Sequence, residues 1–233
     1  MNPGVNPNAG RRRGEGFTLI EMLVVIAIIG VLAALILPVM GAIKKRSIIT
    51  RAQGQLSQLE TAIDSYKQRV NYYPPDNPSN AAVHQLYFEL AGSTSANGVY
   101  KTLDGAAQID ASGLFSLFGS AVQGFANSSA SRSSDEGYMT RNFMPGIKSF
   151  QVEALPGLIA PSRALAFIGP TRWPTNDPKY FPYPVPGTDI NPWRYVSSNP
   201  TNNVGAYDLW IEVIISGKKY LISNWSKQPQ VFD

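Results

Sequence analysis

The residue types that could do chemistry in this 233-residue chain are few, and the one in the least comfortable place is Glu21. It heads a run from Phe17 to Ile43 that contains no Lys, Arg, His or second acid. An isolated carboxylate within so apolar a segment costs several kcal/mol in hydrocarbon and marks a functional position. It must be neutralised by protonation or met by a cation that the segment itself does not supply. Elsewhere the inventory is thin. With no Cys and a single histidine, His84, neither a thiol nucleophile nor a His-rich metal site can be built. No Gly-x-Ser-x-Gly elbow or phosphate-binding glycine loop occurs, so the chain is not expected to be an enzyme. His84, beside Val83 and Leu86, reads as a helix-boundary residue. Asn127-Ser128-Ser129 is a formal glycosylation acceptor in a Ser-rich stretch and says little.

The elements that must place Glu21 begin with what precedes it. Residues 1–16 are polar, rich in Asn, Gly and Pro, and carry Arg11, Arg12 and Arg13. An ordinary secretory signal is cut after its apolar region; here the small residue, Gly16, comes before it. The run Met22–Ile43 is long enough to cross a bilayer, since about 20 apolar residues rising about 1.5 Å each span the roughly 30 Å hydrocarbon core. Lys44, Lys45 and Arg46 close it. Three basic residues on either flank leave orientation undecided by charge. Pro38 lacks a backbone donor and predicts a kink or local melting near 35–40, with Gly30 and Gly41 adding softness.

The helix is predicted to continue to about Val70, because Ile49, Ala52, Leu56, Leu59, Ile63, Tyr66 and Val70 recur at spacings of three and four. A coiled coil is the plain alternative, but the stripe lasts only about three heptads and Gly54 interrupts it. Pro74, Pro75 and Pro78 end it. The rest is of ordinary size for one domain. Asn80 is expected to cap a short helix through Leu90, stopped by Gly92, and Leu114 to Phe125 suggests another. Asn127–Gly137 reads as an exposed, mobile loop. Lys148–Glu153 and Ala164–Ile168 are strand candidates, and alternation over Tyr207–Ile215, then Ser216-Gly217 and Tyr220–Ile222, predicts a hairpin. The Pro- and aromatic-rich stretch 173–192 cannot be a central strand and is expected to wrap stiffly over the sheet.

Gly16-Phe17-Thr18-Leu19-Ile20-Glu21, followed by an uncharged run with Pro38 in it, resembles the amino-terminal signal of type IV pilins and of the pseudopilins of type II secretion. The resemblance implies an α+β, pilin-like fold: leader 1–16, transmembrane helix half 17–43, amphipathic half 44–71, and a periplasmic globular domain 72–233 with a small antiparallel sheet. It implies that a prepilin peptidase cuts after Gly16 and methylates Phe17, and that the freed amine of one subunit meets Glu21 of another. At about 4 Å and an effective dielectric of 20 such a pair gains roughly 4 kcal/mol before desolvation offsets part of it, so the contact selects register more than it adds stability.

Asn191-Pro192-Trp193, Tyr195-Val196, Tyr207-Asp208-Leu209 and Asn224-Trp225 resemble the end of the major pseudopilin, as does Tyr73-Pro74 after the helix. That points to a pseudopilus subunit that drives protein export, with a surface pilus subunit for adhesion, motility or DNA uptake as the alternative. The absence of cysteine leans the same way. Family members often hold calcium in the last hairpin. Here Ser216-Gly217-Lys218-Lys219 puts ammonium groups where a hard cation needs acids, so no cofactor or metal is expected, Asp208 reading as a hydrogen-bonded strand residue.

The implied partners are copies of the chain, other pilin-like subunits, the prepilin peptidase, an inner-membrane assembly platform and lipid, the protein lying in the inner membrane by a single pass. The net charge of +4 includes +2 from residues 1–16. Lys44, Lys45, Arg46 and Arg51 suit lipid headgroups or acidic neighbours. Lys218, Lys219 and Trp225 are too few for nucleic acid.

Overall fold

A computed structural model describes residues 16–130 and 140–232, with the side chains of residues 35–39 and 130 outside the description. The chain divides into two units, Met1–Lys44 and Lys45–Asp233. Helix α1, Leu19–Val70, runs through both. It starts two residues later than Phe17 because Thr18 caps it. The kink expected at Pro38 falls among the undescribed side chains, and the backbone there is helical. Every large apolar side chain described in the first unit is at least 45% exposed. Among the described residues, no helix is long and apolar enough to cross a membrane; residues 35–39 interrupt the described part of that apolar stretch.

In the second unit the α1 stripe is buried as its spacing predicts. Ala52, Leu56, Leu59, Ile63 and Tyr66 are inside, joined by Ile48 and Ala62, while Ile49 and Val70 pack at the margin. The helix ends where Asn71 takes a left-handed conformation ahead of Pro74. What covers the stripe is richer than one small antiparallel sheet. Strands β1 (Ser93–Ala96), β2 (Val99–Thr102), β3 (Gln108–Asp110) and β4 (Ser128–Ala130) form a sheet in the order β3-β2-β1-β4, with β1 and β4 parallel. Strands β5 (Val152–Ala154) and β6 (Leu165–Phe167) pair antiparallel. Strands β7 (Arg194–Val196), β8 (Asp208–Ile215), β9 (Lys218–Ser223) and β10 (Ser226–Phe232) form an antiparallel sheet in the order β10-β9-β8-β7. The fold is therefore α+β, with one long helix and several small sheets.

The β8–β9 hairpin follows its alternation: Leu209, Ile211, Val213 and Ile215 point inward, and Trp210, Glu212 and Ile214 lie half-exposed. Its turn has Ser216 and Gly217 both at positive φ, the arrangement that matches strand twist. Two short helices differ from expectation. Asn80 closes a turn by accepting from the Ala82 and Val83 amides, and α2 begins only at Leu86 and ends at Ala91 before Gly92. Helix α3, Ala111–Phe118, is capped by Asp110, which accepts from the Gly113 amide, and stops before Gly119, so Ala121 and Phe125 lie beyond it.

The stretch 173–192 is tied down as a strap. Trp173 Nε1 donates to the Tyr180 carbonyl and the Tyr180 hydroxyl to the Gly217 carbonyl in the β8–β9 turn, both at 2.9 Å. Trp173 and Tyr180 are buried and take the cations of Arg194, Lys219 and Lys179 on their rings, which makes the strap chiefly packing.

Candidate functional site

The amino-terminal turn is built around Thr18 and Glu21. The Thr18 backbone N–H donates to Glu21 Oε2 at 2.8 Å, the Thr18 hydroxyl to the same oxygen at 2.7 Å, and the Glu21 N–H to Thr18 Oγ1 at 3.3 Å. This is a capping box, Thr at the cap and Glu three residues on, which satisfies donors that the first turn leaves unpaired. Glu21 thus has partners in its own chain, which the search for a cation in the sequence overlooked. The signal was there in Thr-x-x-Glu ahead of an apolar run. The helix dipole also favours an anion at this end. Both Thr18 donors fall on Oε2, leaving Oε1 without a hydrogen-bond donor among the described residues.

Phe17 is 76% exposed, and a Cβ built on Gly16 would meet nothing within 4 Å. No contact in the described fold demands a glycine at 16. Gly16, Phe17, Thr18 and Glu21 therefore lie together at the exposed head of an apolar helix whose side chains need a cover that the described chain does not provide.

The other candidates are structural. His84 is buried with Nε2 against the Trp193 carbonyl at 2.9 Å and Nδ1 accepting from the Leu86 amide. Burial pushes its pKa down to about 4, so it is neutral and fixed. Asn127 is buried: its Nδ2 donates to the carbonyls of Glu89 and Arg141, and its Oδ1 accepts from the Arg141 amide. It cannot serve as an open glycan acceptor, and buried Asn127 leads directly into strand β4, Ser128–Ala130, instead of the expected loop. Residues 131–137 of that stretch lie outside the described residues.

Asp208 is buried, and its two oxygens accept from the amides of Thr201, Asn202 and Asn203. Burial pushes its pKa up, and the hydrogen bonds from Asn202, Asn203 and Thr201 together outweigh that and hold it below the usual range. Among the described residues no group of three or more His, Cys, Asp or Glu is placed to hold a metal ion. Lys45 lies over the Tyr220 ring at 4.7 Å, a packing role beside the one expected at lipid headgroups.

Sequence reasoning missed Glu89. It is fully buried on α2 and accepts from the Tyr66 hydroxyl of α1 at 3.0 Å and from the amides of Ala126 and Asn127 at 2.7 and 2.9 Å. Burial pushes its pKa up to about 7, against the pull of those donors. It ties the long helix to the first sheet.

Comparison with known proteins finds matches that cover part of the chain. The family described as the prokaryotic N-terminal methylation motif matches residues 11–37. Type II secretion system core protein G of Aeromonas hydrophila is 42% identical over 64 residues, 28% of this chain and 45% of that protein, and its counterpart in Escherichia coli K12 is 44% identical over 63 residues, 27% and 43%. The type IV major alpha-pilin of Moraxella bovis is 49% identical over 51 residues, 22% and 32%. The chain thus spans less than half the length of the curated relatives it matches. No solved structure matches it. The chain carries the prokaryotic N-terminal methylation motif over the residues that hold the Thr18–Glu21 cap, and part of the chain is similar to type II secretion core protein G and to type IV pilins.

Proposed function

We propose that the chain is a structural, non-enzymatic subunit of a type II secretion pseudopilus. A prepilin peptidase removes residues 1–16 and methylates Phe17. The apolar half of α1 holds the subunit in the inner membrane by a single pass with residues 72–233 in the periplasm, and copies of it, with other pilin-like subunits and an inner-membrane assembly platform, form a filament that drives export. The observation that carries this is the exposed, capped head of α1. Gly16 is not demanded by any contact in the described fold, which suits a residue read by a peptidase. Among the described residues nothing donates to Glu21 Oε1, which suits the amine that cleavage would free on a neighbour's Phe17. The exposure of the large apolar side chains described in the first unit of α1 calls for lipid before assembly and for other helices after it. A surface pilus is the second reading, favoured by the identity to the Moraxella bovis pilin; the longer match to core protein G of Aeromonas hydrophila, 64 residues against 51, supports the pseudopilus as the first.

Two substitutions test the role of Glu21. Glu21→Gln retains a carbonyl oxygen for the capping box and removes the charge, whereas Glu21→Ala removes both. Insertion and cleavage are expected in both, with incorporation into filaments, read by shearing and electron microscopy, impaired in both. Normal assembly of Glu21→Gln would show that the cap, and not an intermolecular ion pair, is the purpose of the residue.

A further inference from the structure

The connection between β7 and β8, residues 197–207, has no charged side chain, and two buried aspartates clamp it. Asp76 Oδ2 accepts from the amides of Ser197 and Ser198 and from the Ser198 hydroxyl, at 2.9–3.2 Å. Asp208 accepts from the amides of Thr201, Asn202 and Asn203 and from Asn202 Nδ2, at 2.8–3.0 Å. Past the clamps stands Val204, 86% exposed, next to Gly205 at φ +81. A loop stiffened in this way presents its apolar tip with little further entropy to lose on contact.

The loop lies on one flank of α1. Tyr207 packs edge-on against Tyr73 at 5.0 Å, Lys67 Nζ sits 4.0 Å from the Tyr73 ring, and the charges of Asp64 and Glu60 bear on Tyr207. On another flank, Gln58, Thr61 and Ala62 with Phe143, Met144 and Ile147 line a cavity of about 390 Å³, and the Gln151 amide closes on Gln58 Oε1 at 2.8 Å. Among the described residues, Lys148 is the only charged one in its lining. With 3.6 residues per turn, positions 60, 64 and 67 point roughly 150° away from 58, 61 and 62.

We propose that Val204 of one copy of this chain seats in the cavity beside Phe143, Met144 and Ile147 of the next copy. An uncharged knob then meets a nearly uncharged hole, so little charge is stripped of water. Knob and hole lie on different flanks of the same helix, so the contact joins unlike surfaces of neighbouring copies and can propagate without closing. This contact rests on the filament reading above.

The chain has no cysteine, which makes cross-linking clean. Full-length chains carrying Val204→Cys and Met144→Cys are co-expressed in cells that assemble the filament, then oxidised. A cross-linked pair of chains is expected in the mixture and in neither variant alone. Val204→Asp should lower sheared filament yield at least about tenfold while chain level and thermal midpoint stay unchanged. Filaments that form normally with Val204→Asp and give no cross-link would overturn the contact, a cross-link of the Val204→Cys chain to a different pilin-like subunit or to an exported protein would reassign the knob, and absence of filaments from the unmodified chain would overturn the functional reading and this contact with it.

Discussion

Replacing Glu89 by Gln sets two physical effects against each other. All three groups that meet this carboxylate donate: the Tyr66 hydroxyl and the amides of Ala126 and Asn127. A glutamine has one acceptor oxygen, so either orientation points its NH2 at a backbone N–H. Leaving such a buried donor unpaired costs about 1–3 kcal/mol, and that cost does not depend on pH. The wild-type carboxylate, with no salt-bridged cation among the described residues, has its pKa raised by burial from 4.5 to about 7. A pKa raised on folding contributes stability that is fully present below the unfolded value and is lost as pH rises through the folded one. For this shift the loss approaches about 3 kcal/mol above pH 7.

The unfolding free energy of Glu89→Gln, measured by denaturant titration of full-length protein, should therefore lie about 1–3 kcal/mol below wild type at pH 5, and the gap should narrow toward pH 8. Taking the difference also cancels His84, whose lowered pKa gives the opposite slope: its stability is present above about pH 6.5 and lost as pH falls toward 4. A gap that widened with pH would show that the three donors outweigh burial and that Glu89 is held ionised.

Two further outcomes concern Asp208 and the β8–β9 hairpin. Asp208→Ala should lower stability by about 2 kcal/mol at neutral pH, since it removes an ionised acceptor from five donors; because its pKa is held below the usual range, wild type keeps that increment above about pH 4 and loses it only on further acidification. Calcium titration should leave the thermal midpoint nearly unchanged, as Ser216-Gly217-Lys218-Lys219 offers no acid and both oxygens of Asp208 are occupied. A large calcium-dependent rise would mean that the hairpin had been misjudged.

Sequence spacing was most informative where burial is continuous. The α1 stripe and the inner face of β8 follow from period alone, because each buries one face against the same core. The first sheet was not legible, although Asn97-Gly98 is a strong hairpin turn with both residues at positive φ: Ser93–Ala96 is too polar to read as a strand, and its stability comes from pairing with β2 and β4. Strand β10 escaped for a similar reason, being an edge strand with Lys227 and Pro229 in it, both common on sheet edges. Glu89 reads in sequence as the solvent face of a helix, yet that helix is buried on all sides. Of the candidate site, Gly16, Phe17 and Glu21 were singled out from their order in the motif, whereas Thr18, though part of the same motif, was given no capping role.

The claim that Phe17 begins a processed subunit is tested most directly by the intact mass of the protein from cells with an active prepilin peptidase. The account predicts a chain that begins at a methylated Phe17 and has lost residues 1–16, and the unprocessed chain in cells lacking the peptidase. Retention of residues 1–16 in the presence of the active peptidase would contradict it.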